Sequence, residues 1–436
     1  MNHFLEKKFN LNSHDSDAKT EIRAGVVTFL TMAYIIVVNP SILEAAGIPK
    51  GPSMVATILT VIFGTLIMAF YANRPFAIAP LMGENAFVAF TVCKVLHYSW
   101  QTALAAVFVS GFFVTLLTVT RLRQWLVDSI PSGIKYAIAV GIGLFLSFIG
   151  LNESGIVALG VPGAPVHVGK ITSPSVLLSI FCFLLIVVLV VRKVKGAILI
   201  GILATTFLSF VFKLTPVPEK VISLPPSLSP VFLKLDFISL FSWQIFPVIL
   251  TMFLMDFLDM MGTLIGCSAQ AGFLDEKGDL KDAQKPMLAD SIASVFSALA
   301  GTTTSGTYVE SAAGIQEGGR TGLTALVVAV LFALSLFFAP LLTSVPPHAY
   351  GPALIIVGLF MIKPIKKIDF EDYSESIPAL VIIGLMSFTY NIGVGLLAGF
   401  VVYPLVKLFS GRFKEVNSGL WVLFVLSLLF FIFYPY

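Results

Sequence analysis

The sequence predicts an all-α polytopic membrane protein, built from two inverted repeats of seven spans each, with short strands in the third and tenth spans. Composition is the first observation: of 436 residues, 57% are hydrophobic and only 12% are charged, with a mean hydropathy of +0.95. Soluble domains carry about 25% charged residues, so an ordinary soluble protein is excluded. Recurring apolar runs of bilayer length and a similarity between the two halves are the second and third observations.

The apolar runs follow one another with short connections. In the first half they lie near 24–45, 54–72, 76–96, 101–120, 132–151, 174–192 and 196–213. In the second half they lie near 244–268, 287–300, 302–317, 320–343, 349–364, 376–391 and 393–410. The predicted organisation is a tail (1–23), a first repeat (24–213), a linker (214–243), a second repeat (244–410) and a C-terminal hydrophobic segment (411–436). The last apolar run, 419–435, either crosses the membrane or lies at its interface.

Basic residues cluster at alternate ends of the spans, which fixes the expected orientation. They are Lys7, Lys8, Lys19, Arg23, Arg121, Arg123, Arg192, Lys193, Lys195, Lys277, Lys281, Lys285, Lys363, Lys366, Lys367, Arg412 and Lys414. All fall on one side of the predicted path, which the positive-inside rule assigns to the cytosol. The polar N-terminus is therefore expected in the cytosol, and the odd number of spans in each repeat gives the halves opposite orientations.

Two pairs of similar segments occupy equivalent spans of the halves. In spans 5 and 12, Ser129–Phe145 and Ser344–Phe360 share a Ser-x-Pro sequence followed, at the same spacing, by Gly-Leu-Phe. In spans 3 and 10, Gly83–Ala86 matches Val309–Ala312 more faintly. Inverted repeats of this kind build transporters whose binding site lies between the repeats near the midplane.

Spans 3 and 10 both begin with sequences that resist helix formation. Pro75 and Pro80 interrupt the start of span 3. The run Gly301–Tyr308 is small, hydroxylic and β-branched, and it favours extended backbone. Non-helical backbone at membrane depth survives only where it is buried or lines a cavity, so these two broken spans indicate the binding site.

Four carboxylates inside apolar stretches of the predicted spans are candidate site residues: Glu84, Asp256, Asp259 and Glu310. A charge at the bilayer centre costs roughly 2.5–3.5 kcal/mol on insertion scales, so such residues usually handle a substrate, an ion or a proton. Asp256 and Asp259 lie on one helix face, where two buried carboxylates disfavour joint ionisation. This pair indicates a proton-coupling site; the alternative is a structural pair with a basic partner.

Glu310 follows the broken start of span 10, close to Thr307 and Tyr308. Its carboxylate could accept two N–H donors from a planar heterocycle, while Thr307 adds a hydroxyl and Tyr308 a ring that could stack. The alternatives are a helix cap for Glu310 and ordinary packing for Tyr308.

Asn85 occupies the matching break of span 3, and its amide offers both a donor and an acceptor to the edge of a nucleobase. Glu84 is either a further substrate-binding residue or a polar group near the entrance. Thr31 in span 1 is a candidate substrate-binding residue, with hydrogen bonding between helices as the alternative.

Five motifs, running in order from span 1 to the start of span 11, resemble the AzgA-like adenine, guanine and hypoxanthine permeases, a branch of the nucleobase:cation symporter-2 (xanthine/uracil permease) family. They are Thr28–Pro40, Gly83–Phe87, Asp256–Leu264, Glu310–Gly314 and Gly318–Gly322. Two positions depart from the usual pattern, because many members have an apolar residue at Glu84 and a glycine at Leu81. These departures leave the preferred base open.

The resemblance implies a uracil-permease-like fold, in which a core domain of spans 1–4 and 8–11 moves against a gate domain of spans 5–7 and 12–14. It implies a secondary transporter, not an enzyme, that imports purine nucleobases across the plasma membrane by proton symport and alternating access, with sodium as the alternative coupling ion. The family's functional positions match Asn85, Asp256, Asp259 and Glu310. Related permeases often form a homodimer through the gate domain.

Other functions fit the sequence less well. An anion transporter of the same fold would not favour four acidic residues in its cavity. A membrane-embedded aspartyl enzyme would place its aspartates on two helices, whereas Asp256 and Asp259 share one. Nothing in the charge pattern suggests a nucleic-acid partner, and the scattered Cys and His residues suggest no metal or cofactor.

Overall fold

The computed structural model describes residues 6, 8–120, 129–161, 164–273 and 282–434. Five of the basic residues expected at the cytosolic side lie outside these described residues: Lys7, Arg121, Arg123, Lys277 and Lys281. Each predicted span coincides with one or two helices, or with a strand followed by a helix. Nine helices within the described residues are long and apolar enough to cross a membrane, as expected of a multi-pass membrane protein. The total of fourteen spans stays a prediction.

The first repeat is helical apart from one strand in span 3 and a hairpin after span 5. Its elements are α1 (Ala18–Met32), α2 (Ile35–Glu44), α3 (Lys50–Ile67), β1 (Ile78–Pro80), α4 (Met82–Ala86), α5 (Trp100–Thr120), α6 (Ser132–Glu153), β2 (Val157–Val161), β3 (Ala164–Val168), α7 (Pro174–Val191) and α8 (Ala197–Val211). Wider π-helical turns prolong α3 through Met68–Ala72 and α4 through Phe87–Val95. β2 and β3 form an antiparallel hairpin.

The second repeat follows the same order, with its strand in span 10. Its elements are α9 (Phe246–Ala271), α10 (Gln284–Ala300), β4 (Ser305–Thr307), α11 (Ser311–Gln316), α12 (Gly322–Ser335), α13 (Ala339–Thr343), α14 (Pro347–Ile362), α15 (Tyr373–Phe388) and α16 (Ile392–Phe409), and α17 (Ser418–Phe433) comes after it. Short 3-10 turns lie at Asn12–His14, Ile238–Phe241, Trp243–Ile245, Leu336–Phe338, Lys363–Lys367 and Phe413–Glu415.

The core group, which we define as spans 1–4 and 8–11, is held together by a buried carboxylate as well as by apolar packing. Glu21 on α1 is fully buried. It accepts hydrogen bonds from the backbone N–H groups of Arg320 (3.0 Å), Thr321 (3.3 Å) and Thr324 (3.3 Å). These donors lie at the start of α12, where a helix leaves its first N–H groups without intrahelical partners. A side chain from span 1 thus caps span 11.

The gate group, which we define as spans 5–7 and 12–14, is centred on the crossing of α6 and α14. A Cβ atom added to Gly143 would lie 2.6 Å from the carbonyl oxygen of Gly358, and one added to Gly150 would lie 2.6 Å from that of Gly351. The two helices therefore run antiparallel with their backbones in contact. Because Gly143 and Gly358 are equivalent in the internal similarity, the inverted repeat is present in the structure.

Ion pairs gather at the basic end of the gate group. Lys407 on α16 is fully buried and lies 2.7 Å from Glu375 and 2.8 Å from Glu415. Arg412 pairs with Glu415 (2.6 Å) and with Asp372 (2.5 Å), which caps α15. A buried ammonium with two carboxylate partners is satisfied, so this cluster joins α15, α16 and the turn before α17.

The last helix, α17, runs from one end of the gate group to the other. At its start, the Asn417 amide nitrogen donates to the carbonyl oxygen of Ser129, just before α6 (2.9 Å). Beyond its end, the Tyr434 hydroxyl accepts a hydrogen bond from Asn391, at the opposite end of α16 (2.6 Å). The apolar run whose path the sequence left open therefore packs along the full depth of the gate group.

Candidate functional site between the repeats

The two broken spans meet as a two-stranded antiparallel sheet. β1 and β4 pair so that Ile78 lies opposite Thr307 and Pro80 lies opposite Ser305. All six strand residues are buried. The backbone N–H and C=O groups of each strand form hydrogen bonds with the other strand. These bonds satisfy the polar backbone where the helices are interrupted. The sequence prediction of strands in spans 3 and 10 is therefore confirmed.

A short helix follows each strand and carries the predicted site residues. β1 continues into α4, which begins at Met82 and contains Glu84 and Asn85 in its first turn. β4 continues towards α11, which has Glu310 at its N-cap position. The antiparallel pairing of the strands thus brings side chains from the two repeats to one crossing.

Glu310 is held by a residue from span 1. The helix of span 1 is interrupted at Ala33 and Tyr34, between α1 and α2. The Tyr34 hydroxyl donates to Oε1 of Glu310 at 2.5 Å. Hydrogen bonds to a charged acceptor are short and strong, so Tyr34 fixes the orientation of this carboxylate. Sequence analysis did not select Tyr34 as a site residue.

Asn85 is fixed from the opposite strand segment. The Thr303 hydroxyl donates to the Asn85 side-chain oxygen. The Asn85 amide nitrogen makes no hydrogen bond to any described residue, and the side chain is fully buried. An amide that is oriented at its oxygen and unsatisfied at its nitrogen can still donate to a ligand.

The span-8 aspartates lie on α9 beside the strand crossing. Asp256 is fully buried and accepts a hydrogen bond from the Ser294 hydroxyl of α10 at 3.3 Å. The single proton of this hydroxyl is shared with the Ser305 carbonyl oxygen of β4, which lies closer, at 2.6 Å. Asp259, one turn further along α9, is partly exposed. Both carboxylates interact electrostatically with Glu84 of the first repeat.

Asp290 is a buried carboxylate of this region that sequence analysis missed. It lies on α10, and both of its carboxylate oxygens are 2.9 Å from the Thr307 hydroxyl of β4. Asp290 lies inside an apolar span, which is the criterion by which the other four carboxylates were chosen from the sequence. The same criterion could have identified it. Asp290 supports the strand, and the Thr307 hydroxyl is already engaged by it.

The two remaining candidates, Thr31 and Tyr308, also lie near Glu310. The Thr31 hydroxyl bonds within its helix to the carbonyl oxygens of Thr28 (2.9 Å) and Val27 (3.0 Å), and it lies 3.5 Å from the Glu310 carbonyl oxygen. Tyr308 is buried and lies within electrostatic reach of Glu310, Asp259 and Glu84. The structure therefore brings every predicted site residue to this region.

The region is acidic. No ion pair between described residues includes Glu84, Asp259 or Glu310. Over the part of the chain that the structure describes, no three His, Cys, Asp or Glu residues are grouped as ligands of one metal ion. What the site offers a ligand is a fixed carboxylate at Glu310, a donor at Asn85 and nearby carboxylates that can bind protons.

Comparison with known proteins identifies the family. A sequence profile described as the permease family matches residues 19–399. The chain belongs to the permease family. This permease is 44% identical over 427 residues to a putative permease of Methanocaldococcus jannaschii, covering 98% of this chain and 97% of that one. It is therefore a transporter rather than an enzyme.

Two bacterial relatives have named substrates. The permease is 40% identical over 436 residues to the guanine/hypoxanthine permease PbuG of Bacillus subtilis, covering 98% of this chain and 99% of that one. It is 38% identical over 429 residues to the adenine permease AdeP of Escherichia coli, covering 98% and 96%. The expected resemblance to purine permeases is thus confirmed over nearly the whole chain.

Solved structures match in fold alone. The transmembrane domain of the cyanobacterium bicarbonate transporter BicA superposes with a TM-score of 0.65 at 15% identity, covering 87% of this chain and 97% of that one. Murine Slc26a9, an anion transporter in the inward-facing state, gives 0.65 at 11% identity, covering 90% and 68%. The predicted transporter fold is confirmed, and at these identities the comparison says nothing of the substrate.

Proposed function

We propose that this permease imports purine nucleobases by proton symport, with alternating access of the site between the repeats. The observation that carries the proposal is a partly buried carboxylate, Glu310, oriented by Tyr34 at the strand crossing, in a chain whose full-length relatives include adenine and guanine/hypoxanthine permeases. We place the protein in the plasma membrane with its basic helix ends in the cytosol.

Base recognition would rest on Glu310 and Asn85. A carboxylate presents two acceptor oxygens in one plane, which matches adjacent N–H groups on the edge of a purine. The unsatisfied Asn85 amide nitrogen would donate to a ring nitrogen or a carbonyl of the base. Leaving either group unpaired when a wrong ligand binds would cost about 1–3 kcal/mol, which gives selectivity for purines.

Proton coupling would rest on the carboxylates of α9. Asp259 lies at the edge of the buried region and Asp256 lies inside it. A proton bound at Asp259 would reduce the negative charge of the site. That negative charge otherwise disfavours ionisation of the neighbouring carboxyl groups. Because base and proton would stabilise the same closed site, each would raise the affinity for the other.

The first experiment tests the substrate class and the coupling ion together. Uptake of labelled adenine, guanine, hypoxanthine, xanthine and uracil is measured in cells lacking their own base permeases, with and without a protonophore. We expect saturable uptake of a purine that collapses with the protonophore. Uptake that survives the protonophore but requires sodium would replace the proton by sodium, and no uptake of any base by well-expressed protein would overturn the proposal.

Glu310→Gln tests base recognition. The amide keeps the shape but loses one acceptor and the charge, so high-affinity uptake should be abolished while the protein stays in the membrane. Glu219→Gln, the same change at an exposed position of the linker, is the matched control and should transport normally. Normal uptake by Glu310→Gln would remove this residue from the site.

Asp259→Asn tests the coupling residue. The neutral side chain cannot exchange a proton, so accumulation driven by a pH gradient should be lost. Uptake in this variant should also no longer depend on pH. An unchanged pH profile in Asp259→Asn would place the proton elsewhere.

The alternative, an anion transporter, is favoured only by fold likeness at 11–15% identity. The acidic residues of the site oppose it, because the buried Glu84 and Asp256 and the partly buried Glu310 would repel an anion. Competition of purine uptake by bicarbonate or sulfate, measured in the same cells, separates the two functions.

A further inference from the structure

Glu84 belongs to the first repeat and lies within electrostatic reach of the two span-8 aspartates of the second repeat. It lies on α4, directly after the strand crossing. Its electrostatic interaction with Asp259 is larger than that with Asp256. The close packing of α4 on α9 is visible at the preceding residue, where a Cβ atom on Gly83 would lie 3.7 Å from Cε of Met255. Carboxyl groups from two packed elements therefore meet here, with Glu84 and Asp256 buried and Asp259 at the edge of the buried region.

Glu84 has no partner that would keep it ionised. The residue is fully buried, and neither carboxylate oxygen accepts a hydrogen bond from another described residue. Glu310, by contrast, has the Tyr34 hydroxyl. A buried charge without a counter-ion or hydrogen bonds is so costly that the group takes up a proton instead.

The groups around Glu84 offer no compensating positive charge. Asp256, Asp259 and Tyr308 are the titratable side chains that interact with it. Helices α2 and α6 also pack on α4. Their ionisable residues lie only near their ends: Glu44 on α2, and Lys135, Tyr136 and Glu153 on α6. From the α6 side, Gly83 meets the apolar Ile142.

We propose that Glu84 is a second proton-binding residue of this permease and shares a proton with Asp259 across the interface of the two repeats. The inference rests on the proposed symport and deepens it, since it names the group that faces Asp259. One shared proton makes the pair a carboxyl–carboxylate bond that ties α4 to α9. Loss of the proton leaves two like charges that push the two helices apart.

This pairing gives the proton a structural effect at the base site. Asn85, the proposed donor to the base, is the residue after Glu84 on the same short helix. A proton that holds Glu84 against Asp259 also holds Asn85 in place at the crossing. The affinity for the base therefore rises when the pair is protonated and falls when it loses the proton. Glu84 acts here as a positioning residue for Asn85.

The test is equilibrium binding of a labelled purine to purified protein, from acidic to mildly alkaline pH. One proton taken up with the base makes the dissociation constant of the wild type rise by up to about tenfold per pH unit on the alkaline side. Glu84→Gln keeps the hydrogen-bonding shape but cannot lose a proton, so this slope should flatten. Glu219→Gln should keep the wild-type slope. A slope in Glu84→Gln equal to that of the wild type would overturn the inference.

A second measurement covers the case in which Glu84→Gln fails to fold. Infrared difference spectra of the wild-type protein at neutral pH should contain the absorption band of a buried protonated carboxyl group. The Asp259→Asn substitution should shift this band. Absence of any protonated carboxyl band overturns the inference. Failure of the wild type to bind or import any purine defeats the proposed function instead, so the two failures are distinguishable.

Discussion

At the scale of residues, each carboxylate of the site is defined by its neighbours. Glu310 receives the Tyr34 hydroxyl, Asp256 receives the Ser294 hydroxyl, and Glu84 receives no hydrogen bond from another described residue. We therefore expect chemically similar groups to differ in how readily they bind a proton, because hydrogen bonds favour the charged form and unrelieved burial favours the neutral one.

Tyr34→Phe should weaken base binding without unfolding the protein. The ring remains, but a hydrogen bond to a charged group, worth about 1.5–3 kcal/mol, is lost, so affinity should fall roughly tenfold or more. Tyr403→Phe is the matched control, because its hydroxyl also donates to a glutamate, Glu375, at 2.9 Å and far from the crossing. Equal effects of the two variants on the Michaelis constant for purine uptake would show that Tyr34 is only structural.

Because of the ion pairs at the basic end of the gate group, the stability of the protein should decrease at acid pH. Hydrogen bonds from Arg412 lower the pKa of Asp372 below its ordinary value of 3.8 and that of Glu415 below its ordinary value of 4.5. For a lowered pKa, the stabilisation is complete above the ordinary value and is lost as pH falls through the lowered one.

Arg412→Gln should therefore melt at a lower temperature than the wild type near neutral pH, and the difference should shrink below about pH 4. Thermal unfolding of purified protein across this range, followed by intrinsic fluorescence, provides the measurement. A difference that stays constant into strong acid would mean that Arg412 stabilises the fold by packing rather than by charge.

The contacts between the site residues could not be predicted from the sequence. The composition of spans 3, 8 and 10 was enough to select Glu84, Asp256, Asp259 and Glu310, since isolated charges in apolar spans stand out. Tyr34 stood out as a polar residue of an apolar helix but was not selected, because hydrogen bonding between helices explains such a residue equally well. Its hydrogen bond to Glu310 appears only in three dimensions. Asp290 carried the same signal as the others, and its role as support for Thr307 appears only in three dimensions.

At the scale of elements, the broken spans were predictable and their register was not. Pro75, Pro80 and the run Thr302–Thr307 exclude regular helix locally. The pairing of Ile78 with Thr307 depends on how the two repeats interlock, which local sequence does not encode. The same holds for α17, whose path is fixed by contacts of Asn417 and Tyr434 with distant helices.

The α6–α14 crossing gives a prediction about glycine. Gly358→Ala places a methyl group against the Gly143 carbonyl oxygen and the Ser147 hydroxyl, and overpacking of this kind typically costs about 1–3 kcal/mol. We expect a lower melting temperature and a smaller monodisperse fraction in size-exclusion chromatography.

Gly384→Ala is the matched control for the crossing. It lies on the gate helix α15, and a Cβ atom there would meet only Phe388, at 4.0 Å. We expect this variant to be neutral or slightly stabilised, since alanine favours helix over glycine by about 1 kcal/mol. Equal destabilisation by the two substitutions would contradict close backbone contact as the reason for Gly358.

At the scale of the whole molecule, the core and gate groups touch at both ends of their interface. At the end opposite the basic residues, the Thr91 hydroxyl of the core group donates to the Tyr390 carbonyl oxygen at 2.6 Å. The Tyr390 ring packs there against Phe90, Phe145 and Phe148. At the basic end, Lys195 of the gate group lies 3.5 Å from Glu317 of the core group.

The proposed alternating access would require that these contacts break in turn, since the crossing lies between them. In the proposed orientation the Thr91–Tyr390 contact lies on the outer side, so we expect that a base arriving from outside reaches the crossing after this contact opens. The Lys195–Glu317 pair is partly exposed to solvent and is therefore weak, of the order of 0–1 kcal/mol. An inner contact this weak can open and close without a large cost.

A disulfide across the outer contact should stop transport reversibly. In a background without Cys93, Cys182 and Cys267, Thr91→Cys with Tyr390→Cys is oxidised, and purine uptake is measured before and after reduction. We expect uptake to fall to background when the bridge forms and to recover on reduction, because the two groups can no longer separate. Val157→Cys with Val168→Cys, directly opposite each other in the β2–β3 hairpin, is the matched control and should transport in both states. Full uptake by protein shown to carry the 91–390 bridge would mean that the outer contact stays closed throughout the cycle and that the base enters by another route.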